Sequence, residues 1–152
     1  MKSKGKKASD SAVEMRELVM PHHSNPQNTI FGGVIMSWID LAASMCSSRH
    51  ARRPVVTVHI GDITFKAPVK VGYHVLIKAK ILYVGTTSLT VGVSVHSENP
   101  ITGESLTTTT ATVTMVAVDD HGKPCPVPPL LPQSSAEKKI FSKVSKKNIR
   151  RK

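Results

Sequence analysis

Cysteine is nearly absent from this chain: 152 residues hold only Cys46 and Cys125, too few and too far apart for a disulfide framework or a cysteine metal cluster. Long apolar runs are missing as well, and no stretch approaches the ~20 apolar residues that cross a bilayer. Lys2 to Lys7 are followed by the polar run "ASDSAVEMRE", not by the apolar core of roughly 7–15 residues that marks a secretory leader. The histidines show no spacing that gathers three ligands, which speaks against a metal site. No internal repeat is present. These absences point to a soluble protein in a reducing compartment, most simply the cytoplasm, with no membrane span and no metal.

Acid is also scarce. Ten Asp and Glu face 21 Lys and Arg, and the formal net charge of +11 resembles a nucleic-acid signal until it is located along the chain. It sits at the ends. Residues 1–7 hold four lysines and no acid, and residues 133–152 hold eight Lys or Arg against Glu137 alone. The part between them is formally neutral, so the basicity says little about its chemistry. Such ends attract any polyanion, but charged segments poor in apolar residues are generally solvated and disordered. The length fits one domain. We therefore expect a basic disordered tail over 1–11, a single domain over 12–132 and a basic tail over 133–152, with no nucleic acid required.

What is present between the tails is regular. "SAVEMRELVM" alternates as a first short strand, and "PHHSNPQNT" reads as a loop rich in turn formers. From about Gly32 to Arg53 the residues suit a helix, with Val34, Ile35, Trp38, Ile39, Leu41, Ala42, Met45 and Cys46 leaving almost no polar face. A helix apolar all round is a buried helix. Four β-rich runs follow: "VVTVHIGDITF", with a bend expected at Gly61, then "HVLIKAKILYV", "SLTVGVSVHSE" and "SLTTTTATVTMVAV". The last ends at "DDHGKPCPVPPLLP", where proline stops further pairing. The pattern predicts an α+β fold in which a curved antiparallel sheet wraps one long helix. One sheet covers only part of such a helix, so an obligate oligomer is expected.

Within that helix stands one acid, Asp40, about two turns past the Gly32–Gly33 pair. An unpaired carboxylate in an apolar setting is costly and asks for a partner or a chemical role. Gly33 falls in the first turn, where backbone N–H groups lack intrahelical partners and the helix dipole is positive. Such an N–H can hold a carbonyl oxygen as it becomes an oxyanion. The bland alternatives are that the two glycines only permit close packing, and that Asp40 is tied structurally to a Ser, Thr or Asn.

Four separated stretches, "SNPQNTIFGGVIMSWIDLAA", "VVTVHIGDITFKAPVKVG", "VGTTSLTVGVSV" and "ATVTMVAVDDHGKPCPVP", together resemble the hotdog-fold acyl-CoA thioesterases. The likeness runs from about Val13 to Pro128. It implies hydrolysis of acyl-CoA to a free acid and CoA without metal or organic cofactor, by dimers often assembled into hexamers. The family's functional residues then fall on Asn25, Gly33, Asp40 and Thr57. CoA contacts fall on Val58, His59 and Ile60 and on Thr87, Ser88 and Leu89. Two positions depart from the family pattern: Asn28 stands where relatives usually have Gly, and His23 where some have an acid. Asn tolerates positive φ, so the turn can survive.

Asp40 would act as general base for water or as a nucleophile forming an anhydride. Seven helical residues place it ~10 Å along the axis from its own Gly33. An antiparallel helix pair would therefore set Asp40 of one chain against Gly33 and Asn25 of another. Two other classes compete. A hotdog dehydratase would want a His near the helix start, and none precedes His50 on this helix. A non-catalytic acyl-CoA or polyanion-binding protein has the basic tails as its direct support.

Overall fold

The computed structural model describes residues 3–150. Its elements are β1 (Val13–Leu18), α1 (Gly32–Ala51), β2 (Val55–Phe65), β3 (His74–Val84), β4 (Ser88–Glu98), β5 (Ser105–Ala117) and α2 (Ser135–Arg150). The five strands form one antiparallel sheet in the order β1-β3-β4-β5-β2. The connection holding α1 therefore carries the chain from one sheet edge to the other. This is the α+β architecture that the sequence pattern predicts, a long helix held by a curved sheet.

The alternation of each strand decides which face meets α1. Val75, Ile77, Ala79 and Ile81 of β3, Leu89, Val91, Val93 and Val95 of β4, and Ala111, Val113, Met115 and Ala117 of β5 are all buried. Against them α1 places Ile35, Trp38, Ile39, Ala42, Ala43 and Cys46, at the three-and-four spacing of one helical face. A fully buried chain such as Ile39 contributes roughly 1.5–3 kcal/mol through removal of apolar area from water.

α1 begins without a side-chain cap at Phe31 and ends at Arg52, whose left-handed backbone (φ 53°) lets its N–H reach the Ser48 carbonyl at 2.7 Å. Lys6 Nζ donates to the His50 carbonyl at 2.7 Å, placing a cation where the helix dipole is negative.

As expected of a single sheet, which reaches one side of a cylinder, α1 is not covered on all sides within one chain: Met36, Leu41 and Met45 are exposed. One expectation needs correction. The ends are not solvated tails throughout the described residues. Lys6 pairs with the 129–131 segment (N–H to Pro129 carbonyl, 2.9 Å; Leu131 N–H to Lys6 carbonyl, 2.8 Å), and residues 8–10 form a short 3-10 turn. Backbone pairing and the buried Ala8 supply what composition alone does not reveal. Residues 135–150 form α2, which lies across the sheet face opposite α1, with Phe141 packed on Tyr83 at 4.8 Å between ring centroids. Positions 1, 2, 151 and 152 lie outside the described residues. Among those described, no helix is long and apolar enough to cross a membrane.

Candidate active site

The loop before α1 is built around Asn25. Its Oδ1 accepts from the Gln27 and Thr29 N–H groups and from Thr29 Oγ1, each at 3.1 Å, a turn chemistry natural to Asn. Asn28 takes φ 60°, so it supplies the left-handed step that glycine would otherwise provide. Nδ2 of Asn25 makes only a long contact, 3.5 Å to the Ile30 carbonyl, and keeps donor capacity toward α1. His23 is absorbed structurally: Nδ1 accepts the Met20 N–H at 3.0 Å, and its ring meets Trp38 edge-on at 5.2 Å.

Gly33 is exposed in the first turn of α1. A Cβ on it would lie 2.7 Å from the Phe31 ring, so only glycine leaves this N–H open while Phe31 keeps its place. Phe31 and Phe65 are 57% and 51% exposed, although the chain has only three phenylalanines. Phe65 joins Ile30, Ile35, Ala67 and Pro68 around an open cleft of about 300 Å³ beside Gly32. The motif reading missed these two rings; their exposure beside the helix start, unlike their identity, becomes visible only in the fold.

Asp40 and Thr57 are brought together. Thr57 Oγ1 donates to Asp40 Oδ1 at 2.6 Å and lies 3.4 Å from Met115 Sδ. That bond leaves the second carboxylate oxygen as a free acceptor. Asp40 is half-buried, at the edge of the uncovered α1 face near Met36 and Leu41. It is therefore paired and accessible, rather than enclosed.

The six expected CoA positions divide. Val58 is the extra residue of a bulge, since Thr57 opposes Met115 while His59 opposes Thr114. Strict alternation would send both side chains to one face; the bulge turns His59 to the face opposite Asp40. Ile60 is half-buried, and Thr87 and Ser88 form the half-buried β3–β4 turn. Leu89 is corrected: it is fully buried against α1, leaving only its backbone to meet a ligand.

The polar groups that α1 does bury lie at its far end. His50 Nε2 donates to the Pro128 carbonyl at 2.8 Å, and Nδ1 has no partner among the described residues. Burial lowers the His50 pKa, an effect the Pro128 bond partly opposes. Burial pushes the Cys46 thiol up to about 11. Neither group is placed or poised for chemistry at Asp40.

Comparison with known proteins adds to this geometry. A family model for the thioesterase superfamily matches residues 27–104. The chain belongs to the thioesterase superfamily. Among its relatives is an uncharacterized acyl-CoA thioester hydrolase, YkhA, of Bacillus subtilis, 38% identical over 84% of this chain and 74% of that protein. A crystal structure of an apo-hexameric acyl-CoA thioesterase superposes with a TM-score of 0.93 at 36% identity, covering 98% of this chain and 96% of that one. The acyl-CoA hydrolase of Staphylococcus aureus, solved with butyryl-CoA, CoA and CoA disulfide, gives 0.87 at 31% identity, with 96% and 89% covered. It has also been solved with an asparagine, an aspartate or a threonine replaced by alanine. These relatives and solved structures are named as acyl-CoA thioester hydrolases or acyl-CoA thioesterases.

Proposed function

We propose that this protein hydrolyses acyl-CoA to a free acid and CoA, at composite sites formed between two chains. The observation that carries the reading is the Thr57–Asp40 hydrogen bond at 2.6 Å beside an uncovered apolar helix face. Thr57 orients the carboxylate through Oδ1, and Oδ2 takes the proton of a water that attacks the thioester carbon. In the covalent variant Oδ2 attacks that carbon itself, and water then cleaves the anhydride. In both, the carbonyl oxygen gains negative charge and the Gly33 N–H of the other chain stabilises it, with Asn25 Nδ2 as the neighbouring donor. The sulfur leaves as the CoA thiolate, which recovers a proton.

The three residue types replaced in the S. aureus hydrolase match Asn25, Asp40 and Thr57 and fall at the same spacings along the chain, which supports these assignments. In this reading Asp40 supplies the base or nucleophile and the Gly33 N–H the oxyanion donor, so it calls on neither metal nor organic cofactor. The exposed apolar side of α1 supports a dimer, and hexameric relatives support a hexamer of such dimers. Among the expected CoA contacts, Val58, Ile60, Thr87 and Ser88 remain in the proposal, with Leu89 through its backbone alone.

One experiment tests both the chemistry and the sharing. Asp40→Asn chains should keep their melting temperature and lose about 10²–10⁴ in kcat/KM on an acyl-CoA panel followed by thiol release. Mixed with Gly33→Val chains, they should regain turnover, because a heterodimer holds one intact site. Folded heterodimers without turnover would sink the shared site. Near-normal Asp40→Asn turnover would return Asp40 to a structural role, and CoA binding without turnover in the wild type would favour a non-catalytic binding protein.

A further inference from the structure

The outer side of α2 carries more positive charge than the fold uses. The helix holds five lysines and one arginine against Glu137 alone. Its two ion pairs both reach down to the sheet: Glu137 Oε1 meets Lys80 Nζ and Lys147 Nζ meets Asp62 Oδ2, each at 3.1 Å. Lys138, Lys139, Lys143, Lys146 and Arg150 are exposed and form no ion pair among the described residues.

Their spacing is that of one helical face. Lys139, Lys143, Lys146 and Arg150 recur at steps of four, three and four residues, with Lys138 at the edge, so the cations form a straight row of ~17 Å. Like charges at these steps weaken a helix. Lys138 and Lys139 also stand in the first turn, where the helix dipole is already positive. Helix stability therefore does not account for the row. Lys143, Lys146, Lys147 and Arg150 border an open cleft with no acid in its lining. One turn beyond Lys146, Ile149 is 70% exposed, whereas Phe141 faces inward and packs on Tyr83.

We propose that this side of α2 docks on a membrane surface rich in anionic phospholipid. A straight row of cations meets several headgroup phosphates at once, and each Lys or Arg adds to the attraction. The lipid charge also relieves the repulsion along the row. Ile149 finds apolar surroundings at the boundary between headgroups and acyl chains, which a nucleic-acid backbone does not offer. Nucleic acid is typically gripped by arginine forks and stacked aromatic rings; this side of the helix has one arginine and no aromatic. The Asp40–Thr57 pair lies across the sheet, so docking and thioester cleavage use separate surfaces and fail separately.

Vesicle flotation tests the intact protein. It should rise with phosphatidylcholine vesicles holding about 30% phosphatidylserine, stay behind with phosphatidylcholine alone, and leave the anionic vesicles in ~0.5 M NaCl. Lys139→Gln combined with Lys146→Gln should lower the partition about thirtyfold. Gln is as good a helix former as Lys, so melting temperature and thiol release from a soluble acyl-CoA should match the wild type. No flotation, equal flotation with neutral vesicles, or wild-type partition in the double variant would overturn the proposal. So would tighter binding of a DNA duplex than of the vesicles at equal phosphate concentration, which would assign the row to nucleic acid.

Discussion

α1 and α2 cover opposite faces of the same five strands, but the sides they leave outward differ in kind. α1 buries Ile35, Trp38, Ile39 and Ala42 in the sheet and still shows Met36, Leu41 and Met45 to the outside. α2 rests on Phe141 and on two surface ion pairs, Lys80–Glu137 and Lys147–Asp62, both at 3.1 Å, and shows lysines outward. An exposed apolar outer side of this kind marks a surface that another chain can cover. A lysine-rich outer side is stable in water. In the proposed mechanism the groups assigned to catalysis lie on and beside α1, where a second chain would exclude solvent.

The largest effect should come from charging each outer side in turn. Leu41 is 54% exposed in the single chain, and Leu41→Glu would bury an unpaired charge in an assembled interface, at a cost of about 3–5 kcal/mol. The assembly should dissociate in light-scattering chromatography, and thiol release should vanish with it. Lys139→Glu on α2 should change neither; equal effects would break the comparison.

Next in size are core truncations. Ile39→Ala removes a fully buried side chain and should cost about 2–5 kcal/mol in denaturant unfolding. Phe141→Ala, half-exposed against Tyr83, should cost roughly 1–2 kcal/mol.

Acidification sharpens the comparison from the far end of α1. Burial lowers the pKa of His50 below the ordinary 6.5, and that of His96 likewise. The folded state thus resists protons that the unfolded chain accepts. Stability is full above pH 6.5 and is lost as pH falls from there toward the lowered folded values. Melting temperature should therefore drop between about pH 7.5 and 5.5, and His50→Asn should flatten that slope.

The smallest effect is that of salt on α2. Exposed pairs of this kind contribute less than ~1 kcal/mol and are screened. Amide exchange over residues 135–150 should quicken in ~0.5 M NaCl, while α1 amides stay protected.

Much of this molecule was legible before folding. The run "HVLIKAKILYV" becomes β3 and "SLTVGVSVHSE" becomes β4 residue for residue, because alternation of apolar and polar side chains is a local property. The bend expected at Gly61 appears as a register irregularity between Gly61 and Thr64, with Asp62 at φ 53°. Asn28 was readable as a turn residue for the same local reason. Asp40 stood out because an acid in an apolar helix is anomalous wherever the helix packs.

What sequence did not settle depends on neighbours far along the chain. Nothing local says that Val58 bulges, yet that extra residue sends Thr57 to Asp40 and His59 to the opposite face. Nothing in "MKSKGKK" says that Lys6 will pair with the 129–131 backbone and cap α1, because composition is blind to a partner more than a hundred residues away. Helix and strand identities, the glycine at the helix start and the odd carboxylate were fixed by spacing and residue chemistry. Which side of α1 stayed open, which face each strand residue took, and where the two basic ends came to rest were decided only when the sheet closed around the helix, since burial is a property of the assembled surface.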